Sequence, residues 1–233
     1  MTQHLTAGIL PEIRFNETRT IFEGREFALK QHGGDEFIPF MKAFFNNYSR
    51  IHRSVGTLNY DIQFEQEQKE NYLLQPASVC LTIERNGEVA FTQMVAKRDE
   101  IPMDMDIHCE LNYAEYYNAE VEKGNTLYFF GKGSANLNVF PEEERKTMIG
   151  ELQALIYYVI FSIARRDNCV NMYSYINRFM QRSMQKLGIN YHKITPFTMF
   201  RGIDYVGVNY TVADIDAIMN DNDFVRLVGK YFK

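Results

Sequence analysis

The chain has 233 residues, 45% of them hydrophobic, which is enough to bury one substantial core. A net charge of −5 excludes a general nucleic-acid binder, which needs a basic footprint. Cys80, Cys109 and Cys169 form no C-x-x-C pair, and the five histidines form no H-E-x-x-H or H-x-x-x-H array, which leaves no zinc site, disulfide frame or catalytic metal to expect.

The first residues lack the basic-then-apolar order of a signal peptide, which points to a cytoplasmic protein. Residues 1–34 are mixed and end at Gly33-Gly34. Asp35 is placed to cap a helix over 36–53, with Phe37, Phe40, Met41, Phe44, Phe45 and Tyr48 on one side, and a second helix is expected over 60–73. The period then changes. Residues 77–84 and 88–97 read as two strands joined at Arg85-Asn86-Gly87, since Asn-Gly between such runs signals a hairpin. Pro102 ends the second strand. The acidic, Tyr-rich stretch 103–123 has no clear period and reads as a loop with a short helix at most.

Residues 125–139 read as a further strand, interrupted by Gly131-Lys132-Gly133, where a bulge or a close backbone approach is expected. Pro141 opens a long helix with Glu142, Glu143 and Glu144 in its first turn and Arg165 and Arg166 at its end, both matching the helix dipole. Its most apolar run, 148–163, is too short and too polar to span a bilayer and suits a buried helix. A strand over 169–176, a helix over 177–187 ending at Gly188, and a hairpin between 191–200 and 205–212 follow. Thr211 or Asp214 starts a terminal helix. With no repeat and no linker, the expectation is one domain over 1–233: a helical region to residue 73, a hairpin and central strand over 77–140, and a further half over 141–233. Alternating strands and helices make it an α/β fold.

Asn177, Met180, Met184, Gly188 and Ile189 fall at a spacing that resembles the last strand–helix unit of the GNAT-fold N-acyltransferase superfamily. Within it, Phe179-Met180-Gln181-Arg182 through Gly188-Ile189, Thr195-Pro196-Phe197, Phe200-Arg201-Gly202 and Tyr205-Val206-Gly207 are similar to the autoinducer (acyl-homoserine-lactone) synthase and N-acyl amino acid synthase branch. The resemblance implies a mixed sheet flanked by helices. It also implies transfer of a fatty acyl group from an acyl-carrier or acyl-coenzyme A thioester to the amine of a small metabolite, S-adenosylmethionine in the autoinducer synthases. No tightly bound cofactor is implied. The departures are definite. Met184 stands where many members place a tyrosine acid. The pyrophosphate-cradling Gly-rich loop is replaced by Pro141-Glu142-Glu143-Glu144. Phe129-Phe130-Gly131-Lys132 occupies the place of a Glu-x-x-Arg, and there is no tryptophan. A catalytically silent domain that binds an acyl ligand or a partner stays open.

N-acylation needs a neutral amine, a positioned thioester carbonyl and donors for the oxyanion. Gly131 and Lys132 are the expected oxyanion region, and Glu110 and Glu122 the nearest acids to accept the amine proton. Ser134 and Tyr173 are candidates to hold thiol or acceptor, and the resemblance assigns Arg98 to substrate recognition. Arg53, with Arg50 and the acids Asp61, Glu65 and Glu67, resembles the region that closes over S-adenosylmethionine. Arg178, Arg182 and Lys186 lie at i, i+4 and i+8, a cationic stripe that suits an acidic acyl carrier protein and equally a solvated helix face. The reading requires strands 125–139 and 168–176 to be parallel neighbours that part midway.

Overall fold

A computed structural model describes residues 17–24, 26–33, 36, 40, 42–44, 46, 77–166, 170–200 and 202–229. The helix expected over 60–73, Arg53 with its neighbours, and Cys169 lie outside the described residues. Of the helix expected over 36–53, residues 40, 42–44 and 46 are helical, with Phe40 and Phe44 buried.

Among the described residues the sheet is mixed and nine-stranded. Its strands are β1 (Arg19–Glu23), β2 (Phe27–His32), β3 (Ser78–Arg85), β4 (Glu88–Lys97), β5 (Thr126–Ala135), β6 (Val170–Asn177), β7 (His192–Lys193), β8 (Thr198–Phe200) and β9 (Ile203–Tyr210). They run in the order β1-β2-β3-β4-β5-β6-β9-β7, with β8 also on β9. Every pairing is antiparallel except β5 with β6. The hairpin β3–β4 turns where expected: Asn86 and Gly87 both have positive φ, 51° and 85°, as a two-residue turn matching strand twist requires.

Two regions differ from the sequence expectation. The N-terminal region, expected to be mixed and then helical, contributes β1 and β2 to the sheet. Its alternation is broken by a register shift between Thr20 and Phe22, which hides the period of two. The stretch 103–123 is two helices, α1 (Asp104–His108) and α2 (Tyr113–Glu122). The buried residues of α2 are Tyr113 and Glu120, not an aliphatic stripe, so the helical period is written in residues that read as surface.

The remaining helices are α3 (Glu142–Arg166), α4 (Arg178–Lys186), α5 (Val212–Met219) and α6 (Asn222–Gly229). α5 starts with a full capping box, Thr211 bonding the Asp214 N–H and Asp214 bonding back. One core cluster joins α3, α4, α5 and α6 to one face of the sheet, through Leu152, Leu155, Ile156, Val159, Met184, Ile215 and Phe224. A second lies on the other face under Phe40, Phe44, α1 and α2, and includes Met94, Phe129, Tyr173, Tyr175 and Tyr205. α3 is long and apolar enough to cross a membrane, but 67% of its most apolar stretch is buried within the fold, and it serves as the core helix.

Candidate active site

The parallel strands β5 and β6 are hydrogen-bonded only over their first halves. Thr126, Leu127, Tyr128 and Phe129 face Val170, Asn171, Met172 and Tyr173. Beyond that point β5 continues to Ala135 against β4, and β6 continues to Asn177 against β9. No described strand is hydrogen-bonded to the β6-facing edge of β5 after Phe129, so its backbone polar groups open into a gap.

Immediately beyond the parting, β5 bulges. Thr92 faces Ser134 and Met94 faces Gly131, so Gln93 alone opposes Lys132 and Gly133. Lys132 has φ of 56°, a left-handed conformation costing about 1–2 kcal/mol for a residue with a Cβ. Gln93 holds the bulge by donating from Nε2 to the Gly131 carbonyl, and Thr92 Oγ1 donates to the Lys132 carbonyl at 3.1 Å. Gly131 has no room for a side chain: a Cβ there would lie 2.3 Å from Phe129 Cζ. The Phe129 ring therefore lies along the strand over Gly131, where the strands divide. It approaches Tyr173 and Tyr175 at 5.3 and 6.4 Å between ring centroids, closing the narrow end of the gap with aromatics from both strands.

The gap is the core of a cleft enclosing about 830 Å³ with its open mouth included. Phe44, Met105, Phe129, Met180, Phe200, Ile203 and Tyr205 give it an apolar wall. Gln93, Lys132, Ser174, Tyr175 and Asn177 place polar groups in it. A mostly apolar cleft with a few convergent polar groups is the usual form of a small-molecule site. Lys132 Nζ lies 5.9 Å from the centre of the Phe44 ring.

Of the residues expected from sequence, Gly131 and Lys132 line the cleft. Arg98 and Tyr173 do not line it but lie together behind it. Arg98 Nε donates to Tyr173 Oη at 3.1 Å, and its guanidinium stands 3.7 Å from Asp106, the two side chains being 2% and 0% exposed. Ser134 is buried beside the bulge, and its Oγ has no hydrogen-bond partner. Glu110 and Glu122 are exposed and line no part of the cleft. Glu110 follows α1 in a left-handed conformation, and Glu122 ends α2, ahead of the paired start of β5. The buried acid of α2 is Glu120, which accepts from Lys123 and Asn125 at 2.7 and 2.6 Å; burial opposes its charge, but these partners hold its pKa below the ordinary value. Met184 is core: it is fully buried and its Sδ accepts from Tyr210 Oη, so α4 brings no acid to the cleft at that position.

The carboxylate that sequence reasoning missed is Asp106. It is the N3 residue of α1 and receives the Met103 N–H at 2.7 Å, and it also accepts from Tyr175 Oη at 2.6 Å and from Tyr173 Oη at 3.4 Å. Burial pushes its carboxyl above the usual carboxylate range, although Tyr175, the Met103 N–H, Arg98 and Tyr173 all favour the anion. The one signal available in sequence was the offset of three from Met103 across Pro102-Met103-Asp104, a helix-start pattern hidden by the methionine at the cap.

Arg178, Arg182 and Lys186 do share the exposed face of α4. Arg178 is engaged, donating from Nε to Asp204 at 3.1 Å and stacking 4.5 Å over the Phe197 ring. Neither Arg182 nor Lys186 is ion-paired among the described residues. The start of α3 presents exposed Glu142 and Glu143, with Glu144 paired to Arg85 at 3.0 Å.

No protein-family model matches the chain, and no curated protein matches its sequence. Solved structures do match its shape. FeeM, an N-acyl amino acid synthase from uncultured soil microbes, superposes with a TM-score of 0.57 at 10% identity, over 85% of this chain and 96% of its own. The AHL synthase LasI does so at 0.55 and 7% identity, over 84% and 96%. A putative acetyltransferase superposes at 0.50 and 13% identity, over 92% and 95%. The chain has the GNAT fold.

Proposed function

We propose that the protein is an N-acyltransferase that moves a fatty acyl group from a carrier thioester to the amine of a small metabolite. The observation that carries this reading is the parting of β5 from β6 after Phe129 and Tyr173, with a mostly apolar cleft in the gap and, along it, a bulged strand edge to which no described strand is hydrogen-bonded. A thioester threaded there would have its carbonyl beside backbone N–H groups of β5, which stabilise the developing oxyanion without reorganising. Gly131 lets the Phe129 ring fold over the strand where the two strands part, which shapes the inner end of that cleft.

An acyl carrier protein suits the donor side better than free coenzyme A. The carboxylates at the start of α3 repel a pyrophosphate, whereas Arg182 and Lys186 offer cations to an acidic partner. Lys132, inside the cleft, favours an acceptor that carries a carboxylate. S-adenosylmethionine, which would make the product a lactone signal of the quorum-sensing kind, and a free amino acid both satisfy that condition. Both are cytoplasmic metabolites, and the protein is proposed to act in that compartment.

The test is to incubate the protein with acyl-carrier thioesters and candidate amines and to follow thiol release. Amine-dependent release supports transfer, and release of methylthioadenosine singles out the lactone-forming reaction. Thioester binding without thiol release for every amine would make the domain a binder and sink the enzymatic reading.

A further inference from the structure

No carboxylate lines the cleft among the described residues, yet one lies directly behind it. Asp106 Oδ1 accepts the Tyr175 hydroxyl proton at 2.6 Å, and Tyr175 is itself a wall of the cleft. Among the described residues Arg98, Tyr173, Tyr175, Tyr113, Tyr116, Cys109 and the Met103 N–H surround Asp106. From the residue just after β4 comes Arg98, at 3.7 Å. From β6 comes Tyr173, at 3.4 Å. The start of α1 gives the Met103 N–H, at 2.7 Å. Tyr113 of α2 lies under the Arg98 guanidinium, 5.2 Å from its ring centre, and Cys109 is a buried neutral thiol whose pKa burial, then Asp106, push up to about 11. Among the described residues Arg98 is the cation beside Asp106, and Tyr175, which lines the cleft, hydrogen-bonds that carboxylate directly. Gly207, opposite Tyr175 on β9, leaves room for that ring, since a Cβ there would stand 3.1 Å from Tyr175 Cε1.

Stability does not explain the arrangement. Buried ion pairs of this kind are often replaceable by apolar residues at no loss, so retaining one beside a cleft points to another use. We infer that Tyr175 and Asp106 form the proton relay of the acyl transfer, an inference that rests on the transferase reading above. As the amine lone pair forms the C–N bond, its N–H proton passes to Tyr175 Oη while the Tyr175 proton passes to Asp106. As the tetrahedral intermediate collapses and the C–S bond breaks, the proton returns from Asp106 through Tyr175 to the departing thiolate. Amine and thioester become amide and thiol, with no other reactant. Burial suits Asp106 to this, because a carboxylate with a raised pKa takes a proton more readily than one at the surface. Arg98 fixes the carboxylate and is a positioning residue.

The experiment compares wild type with Tyr175→Phe in thiol release across pH, alongside binding of an unreactive thioether analogue of the acyl donor. The relay predicts a loss of about 100-fold or more in kcat for the variant, analogue affinity within about twofold, and disappearance of the acid limb. That limb should lie above the ordinary carboxylate range in wild type. Tyr173→Phe, which removes another hydrogen bond to the same carboxylate from outside the cleft wall, measures the structural loss alone. A proton inventory on wild type in mixed water and deuterium oxide needs no variant and should show two protons in flight. A Tyr175→Phe protein that keeps its rate within about threefold, or that retains the acid limb, overturns the relay while transfer stands, as does a single-proton inventory. Failure of wild type to release thiol with any amine removes the transferase reading and the relay with it.

Discussion

The contact between Phe129 and Gly131 gives the sharpest prediction about the cleft's geometry. Gly131→Ala would place a methyl 2.3 Å from Phe129 Cζ and 2.5 Å from Cε1, well inside the separation of carbon atoms in contact. The backbone does not object, since Gly131 is not among the residues with positive φ. The whole penalty therefore comes from displacing the Phe129 ring, which is buried against Tyr173 and Tyr175. Overpacking of this kind costs about 1–3 kcal/mol, and at this chain length each kcal/mol lowers Tm by about 2–4 °C. Phe129→Ala alone should cost about 3–5 kcal/mol, but it removes the obstacle. In that background Gly131→Ala should cost less than about 0.5 kcal/mol. Denaturant unfolding of the four proteins measures the coupling, expected at about 1–3 kcal/mol. An equal loss from Gly131→Ala in both backgrounds would refute the placement of the ring.

On the proposed function, the same ring should limit the length of the acyl chain. Phe129→Leu or Phe129→Ala should shift preference toward longer thioesters by about fourfold in kcat/KM for each methylene newly accommodated, and an unchanged chain-length profile would contradict this. On α4, reversing charge at Arg182 and Lys186 should weaken carrier binding more than reversing Arg178, which is held by Asp204, and the loss should fade as salt is raised. Stability should also report on Asp106. Its folded pKa is raised, so the native state holds its proton more tightly. The stability it contributes is present below the ordinary carboxylate range and is lost as pH rises through the folded pKa. Tm of wild type minus Tm of Asp106→Asn should fall across that window, and a flat difference would show that the carboxyl is not perturbed.

What could be read from sequence was what local chemistry writes down. Asn86-Gly87 demanded a two-residue turn, Pro141 with three glutamates announced α3, and Gly188, at φ of 72°, ended α4. The bulge was legible because Gly131-Lys132-Gly133 interrupts a strand. The rest was not legible because it depends on partners far along the chain. Asp106 looks like one acid in an acidic stretch until Arg98 and Tyr175 are brought to it, the latter from 69 residues away. Glu110 and Glu122 were plausible from proximity in sequence to β5, yet the turns after α1 and α2 leave both in solvent. Likewise Tyr173 and Arg98 belong together, but as the support behind the cleft wall.

The most direct test is a crystal structure with an unreactive thioether analogue of an acyl-pantetheine donor. The account predicts the thioether between β5 and β6, beside Gly131 and Tyr175, with the acyl chain running toward Phe129. An analogue bound elsewhere, with the gap between the two strands unoccupied, would contradict it.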